Sequence, residues 1–156
     1  MKILVIYDSV FGNTERIARE IGKALGSEVP VILVGKVTPA DLSGLDVLLV
    51  GSPTRGFKPT PAITGFIEAL PANSLKGVRV SAFDTRIPLE TIKSRLFRAI
   101  VKRGGYADKI IAESLVRKGG ELVLPTGGFF VTASEGPLQK GELERAAEWA
   151  KGILTA

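Results

Sequence analysis

Two short runs constrain this chain most: Ile3-Leu4-Val5-Ile6-Tyr7 and Asp46-Val47-Leu48-Leu49-Val50. A strand with one wet face alternates apolar and polar residues. These runs do not, so both read as strands buried on both faces. Such strands belong in a parallel sheet with helices on each side, and the rest of the chain supplies helices in the right order. Residues 15–25 place Ile17, Ala18, Ile21, Ala24 and Leu25 along one stripe, with Gly26 as a stop. Val29–Val34 reads as the second strand, Pro39–Leu45 as a turn-rich stretch and Asp46–Val50 as the third strand. A helix is expected over residues 60–70, with Ile63, Phe66, Ile67 and Leu70 inward, before a fourth strand at Gly77–Phe83. Two helices follow. One covers residues 89–102, with Leu89, Ile92, Leu96, Phe97, Ile100 and Val101 at helical spacing, and the other covers 106–117. A fifth strand within residues 121–131 is interrupted at Pro125-Thr126-Gly127-Gly128. The last helix runs over 141–154, with Leu143, Ala146, Ala147, Ala150 and Leu154 inward. Strands alternating with helices imply right-handed βαβ units.

Composition narrows the chemistry. The 156 residues suit one domain, and 45% are hydrophobic, enough for a packed core. There is no cysteine and no histidine. Thiol catalysis, disulfides, thiolate or imidazole metal sites and imidazole acid–base chemistry are therefore all excluded. Any redox role needs a bound cofactor. No apolar run approaches the ~20 residues of a membrane helix, and the first is too short and too β-branched for a signal peptide, so a cytoplasmic protein is expected. The net charge is +5, unevenly spread. Residues 86–118 hold nine basic side chains against three acidic ones, a net +6, and the rest of the chain sums to −1. That segment reads either as a solvated helix face or as a docking patch for an acidic partner.

In an open parallel sheet, ligands bind beyond the carboxyl ends of the strands, where strand order reverses. The loops at 8–14, 51–59, 84–88 and 132–139 fall at that edge. The first, Ser9-Val10-Phe11-Gly12-Asn13-Thr14, ends a buried strand and begins a helix. Unpaired N–H groups and the helix dipole make it an anion site, with Ser9, Asn13 and Thr14 as side-chain donors and Gly12 for close approach. It lacks the Gly-x-Gly-x-x-Gly of dinucleotide folds and the Gly-x-x-x-x-Gly-Lys of P-loops. A phosphorylated receiver domain would need clustered carboxylates, but Asp8 has no acidic neighbour and strand three ends in Gly51-Ser52.

On these residues the chain resembles the short-chain flavodoxins. Their phosphate loop, Thr/Ser-x-Thr-Gly-x-Thr after the first strand, is matched by Ser9 to Thr14, with Phe11 where a hydroxyl is usual. Gly51-Ser52-Pro53-Thr54-x-Gly resembles the second flavin loop, and Ala82-Phe83-Asp84-Thr85 the start of the third. Glu135-Gly136-Pro137-Leu138 and the run from Gly141 to Ala146 also resemble stretches seen in the family. The resemblance implies a three-layer sandwich around a five-stranded parallel sheet in the order 2-1-3-4-5, one domain over residues 1–156, and FMN as cofactor. Carried over residue by residue, Ser9, Val10, Phe11, Gly12, Asn13 and Thr14 would hold the phosphate. Pro53, Thr54, Arg55, Gly56 and Phe57 would line one side of the isoalloxazine, and Phe83, Asp84, Thr85 and Arg86 the other. In the family a Gly-containing peptide of the second loop flips on reduction, and Arg55-Gly56-Phe57 is its counterpart. Trp and Tyr commonly flank the ring, but here neither occurs in these loops, so Phe57 is the candidate for stacking. Arg55 and Arg86 are expected to favour the fully reduced, anionic flavin.

The function implied is electron transfer between redox partner proteins, docking at residues 86–118. The alternatives are a flavodoxin-fold NAD(P)H-dependent FMN reductase, for which no nicotinamide motif is visible, and a flavin-free binding module. No aromatic-and-basic strand platform supports nucleic-acid binding.

Overall fold

The computed structural model describes residues 1–88, 94–96, 98–99 and 105–156. The strands are β1 (Ile3–Tyr7), β2 (Val31–Leu33), β3 (Val47–Pro53), β4 (Arg79–Arg86), β5 (Glu121–Leu122) and β6 (Gly127–Phe130). The helices are α1 (Asn13–Leu25), α2 (Pro39–Leu42), α3 (Pro61–Ala69), α4 (Ala107–Arg117) and α5 (Glu142–Thr155), with a 3₁₀ turn at Val34–Lys36. The helix expected over 89–102 lies for the most part outside the described residues. Of its six periodic residues only Leu96 is described, and it is exposed.

All strands pair in parallel, in the order β2-β1-β3-β4-β5, with β6 also on β4. The strand period of two sorts the core. Leu4, Ile6, Leu48, Val50, Val80 and Ala82 face α3 and α4. Ile3, Val5, Tyr7, Val47, Leu49 and Phe83 face α1 and α5. Each fully buried aliphatic side chain stabilises the fold by roughly 1.5–3 kcal/mol.

Among the boundaries that differ from the sequence expectation, four have a clear physical reason. β3 and β4 run three residues past their expected ends, because Ser52 pairs with Asp84 and Pro53 with Thr85. The stretches read as loop at 51–53 and 84–86 are thus the strand ends themselves. Pro39–Leu42 forms a helical turn closed by a capping box between Thr38 and Asp41. The break in the fifth strand covers residues 123–126 rather than 125–128. Val80 pairs with Leu122 and Phe83 with Gly127, so five steps on β5–β6 span three on β4. Pro125 lacks a ladder N–H, and Ser81 Oγ donates to the Leu124 carbonyl at 3.1 Å across the gap. Gly127 and Gly128 are strand residues. In α5, Ile153 is buried and Leu154 is exposed, because Ala146, Ala150 and Ile153 form one stripe and Leu154 stands about 80° away around the helix.

No described helix is long and apolar enough to cross a membrane.

Candidate functional site

The carboxyl edge of the sheet carries a cleft of about 60 Å³ between the loops after β1, β3, β4 and β6. Its walls include Ser9, Val10, Phe11, Asn13 and Thr14, then Pro53, Thr54 and Arg55, then Thr85 and Arg86. Ile87, Val131 and Ser134 complete the lining and were not singled out in the sequence.

The first wall is the head of α1. Gly12 sits at φ 93°, a left-handed conformation that a side chain disfavours, and turns the chain into the helix. Ser9 Oγ accepts N–H bonds from Gly12 at 3.1 Å and Glu15 at 3.4 Å. Both bonds use the oxygen's lone pairs, so the hydroxyl proton remains to donate. The N–H groups of Asn13 and Thr14 lie in the first turn, where no intrahelical acceptor exists. Asn13 Nδ2 donates to the Glu135 carbonyl at 3.1 Å, which ties the loop after β6 to this wall. Val10 and Phe11 are 49% and 46% exposed, at the rim.

The second wall is a miniature hairpin. Thr54 N–H continues the ladder by donating to the Thr85 carbonyl at 3.0 Å. Arg55 and Lys58 then exchange N–H bonds at 2.8 and 3.1 Å across Gly56 and Phe57, which have φ of 55° and 68°. Two consecutive positive φ values mark the type I′ class that suits hairpin twist. Gly56 adopts this freely, whereas Phe57 is strained there by roughly 1–2 kcal/mol. Gly56 and Phe57 form the hairpin tip, outside the cleft lining, and the Arg55 guanidinium lies over the Phe11 ring at 5.4 Å.

The end of β4 forms the third wall and splits between two helices. Phe83 and Thr85 point toward α1, and Asp84 and Arg86 toward α4. Phe83 is fully buried, edge-on to Trp149 at 6.1 Å, beneath the cleft rather than on its wall. Thr85 Oγ1 lies 2.7 Å from Thr14 Oγ1. Asp84 is fully buried and accepts from Arg86 Nε at 2.6 Å, Arg86 Nη2 at 2.7 Å, Asp108 N–H at 3.0 Å and Thr54 Oγ1 at 3.3 Å. Arg86 also pairs with Asp108 at 2.9 Å and stacks on Tyr106 at 3.8 Å. Burial pushes the Asp84 carboxyl up from 3.8 to about 7, against the pull of Arg86 and with added push from Asp108. Burial opposes charge on Arg86, but Asp84 and then Asp108 hold its guanidinium above the usual value. Arg86 is therefore a matched cation, not a free one. Asp108 and Tyr106 were also missed in the sequence. Asp84 and Arg86 stand two apart on one strand face, a pairing that spacing shows, but their third partner comes from a distant helix with no local signal.

The sequence matches the flavodoxin-domain family model over residues 4–95. The chain belongs to the flavodoxin family. Solved flavodoxins share its fold across nearly all its length. A flavodoxin from the domain Archaea is 23% identical with TM-score 0.78, covering 99% of this chain and 97% of that one. Oxidised flavodoxin 2 from Bacillus cereus is 25% identical with TM-score 0.75, covering 99% of each. A WrbA-like flavodoxin from Agrobacterium tumefaciens is 17% identical with TM-score 0.68, covering 98% and 97%.

Flavodoxin membership implies a flavin cofactor, and the donor set can be tested against one. The head of α1 offers N–H and O–H donors, and no carboxylate is among the described residues that line the cleft, which suits a phosphate group. The small volume of the cleft suits that group.

Proposed function

We propose that this flavodoxin binds FMN and carries electrons between redox proteins. The observation that carries the reading is the head of α1: the first-turn backbone N–H groups of Asn13 and Thr14 and the Ser9 hydroxyl stand together at the cleft. Neutral donors at a helix start suffice for a phosphate. FMN supplies one- and two-electron transfer when bound. The chain's part is to hold and orient it and to set the surrounding charge. The hairpin tip at Gly56 supplies a peptide that rotates at little steric cost. Asp84, Arg86 and Asp108 supply a charge-paired floor beneath the third wall.

A partner of acidic surface fits the basic segment, where Arg95, Arg98, Lys109 and Arg117 are exposed. Docking there is expected to weaken as salt rises.

The test is direct. Protein purified without added cofactor is expected to be yellow, and the stripped protein to quench FMN fluorescence with one-to-one stoichiometry. A colourless protein that takes up no FMN refutes the reading. A sustained NADH- or NADPH-oxidase rate without a second protein replaces it with the reductase reading.

A further inference from the structure

We propose that Thr85 is a phosphate-side residue of the cleft: the hydroxyl pair it forms with Thr14 supplies the proton by which the site prefers a phosphorylated flavin to an unphosphorylated one. The inference rests on the flavin reading above and reassigns Thr85 from the ring side expected of its loop. Thr85 shares a β4 face with Phe83, so its side chain points to the head of α1 and not to the hairpin. Its Oγ1 stands 2.7 Å from Thr14 Oγ1, with Thr85 4% and Thr14 1% exposed. Each hydroxyl has one proton and two lone pairs. Within the pair, one proton is given to the other oxygen, and the second proton meets no acceptor among the described residues. A buried donor left without an acceptor is costly. Both residues line the same cleft as Ser9 and Asn13, so an oxyanion at the α1 head is the acceptor this pair can serve.

The neighbouring hydroxyl is already committed. Thr54 Oγ1 accepts the Ala107 N–H at 3.0 Å and donates to Asp84 at 3.3 Å. Its single proton goes to the carboxylate network and away from the α1 head.

The experiment measures Kd for FMN and for riboflavin by fluorescence quenching, on the wild type, Thr85→Val, Thr85→Ala and Thr85→Ser, with a thermal melt of each. Deleting a hydroxyl that donates to a charged group is expected to weaken FMN by about tenfold or more while leaving riboflavin within about twofold. Thr85→Ala makes the same deletion if the valine does not fold. Thr85→Ser keeps the hydroxyl and is expected to keep the FMN affinity within about twofold. Inorganic phosphate is expected to compete with FMN in the wild type and less well in the deletion variants. Equal losses for both flavins, no loss for either, or a serine variant as weak as the valine each overturn the proposal. A wild type that binds riboflavin as tightly as FMN overturns it while sparing the flavin reading, whereas one that binds neither removes both.

Discussion

Replacing Arg86 with methionine is expected to destabilise this protein strongly at pH 8 and much less at pH 5. The guanidinium is bonded twice by Asp84 and once by Asp108, with the Asp84 side chain fully buried and that of Asp108 only 7% exposed. Removing one partner of a buried ion pair costs about 3–5 kcal/mol, because the remaining charge stays buried. Here two carboxylates remain. For a chain of this size that corresponds to a fall in Tm of roughly 6–20 °C.

The pH dependence has a definite sign. Asp84 in the folded protein binds its proton up to about pH 7, against 3.8 for the ordinary carboxyl. Between those values the folded state holds more protons than the unfolded one, so stability falls as pH rises through the window. At 1.36 kcal/mol per unit, this is at most about 4 kcal/mol. Without Arg86 the folded carboxyl is driven higher still. At pH 5 it is neutral, Asp108 keeps the Lys109 N–H at 2.8 Å, and the loss shrinks to lost hydrogen bonds, about 1–2 kcal/mol. Urea denaturation followed by fluorescence of the single tryptophan, Trp149, reads this directly, since its ring packs on Phe83 and Phe129. A loss of equal size at both pH values, or one under about 1 kcal/mol at pH 8, refutes the reasoning.

Gly51→Ala is expected to cost about 1–3 kcal/mol and to shift β3 against β4, because a Cβ there would stand 2.1 Å from the Phe83 ring; chemical denaturation measures it, and a neutral result shows that the ring moves freely. Glu142→Ala removes the acceptor of the Phe130 N–H at 2.7 Å and the partner of Arg145, for about 1–3 kcal/mol at pH 7. Burial works against the Glu142 charge, but Arg145 and that N–H hold its carboxyl below 4.5, so its stabilisation is present above that value and lost as pH falls through the folded one. The gap between wild-type and variant melts is expected to narrow in strong acid.

The order of elements was legible because it depends on short-range patterning. Continuous apolar runs marked β1 and β3, and helical spacing marked α1, α3 and α4. What the sequence concealed depends on pairing between distant segments. Ser52, Pro53 and Asp84–Arg86 look like loop, being polar or turn-forming, and become strand only through distant ladder partners: Ser52 with Asp84, Pro53 with Thr85, and Arg86 with Phe130. The Gly56–Phe57 hairpin lacks the Asn-Gly signal because its strained position holds a phenylalanine. At the cleft, Ser9 and Asn13–Thr14 were legible as donors from the strand–loop–helix context alone. The Thr14–Thr85 contact and the Asp108 partner of Arg86 join residues 71 and 22 positions apart, which no local pattern encodes.

The same network revises the electrostatics expected of the cleft. Arg86 was expected to favour negative charge there, but with both carboxylates ionised the triad carries a net −1, and with Asp84 protonated it carries zero. The floor of the cleft therefore gains a negative charge as pH rises past about 7, the value to which burial pushes Asp84. At the rim, Arg55 over Phe11 remains the attractive cation among the described lining residues. An anion of fixed charge should then bind this cleft more weakly at pH 8 than at pH 6. Sulfate is the suitable probe, since its charge is constant across that range whereas phosphate titrates within it. Competition of sulfate with FMN, followed by fluorescence, is expected to show the decline in the wild type and a flatter response in Asp84→Asn, which removes the buried carboxyl whose ionisation drives it. A wild-type affinity independent of pH, or an equal decline in Asp84→Asn, means that Asp84 does not govern the charge of the cleft.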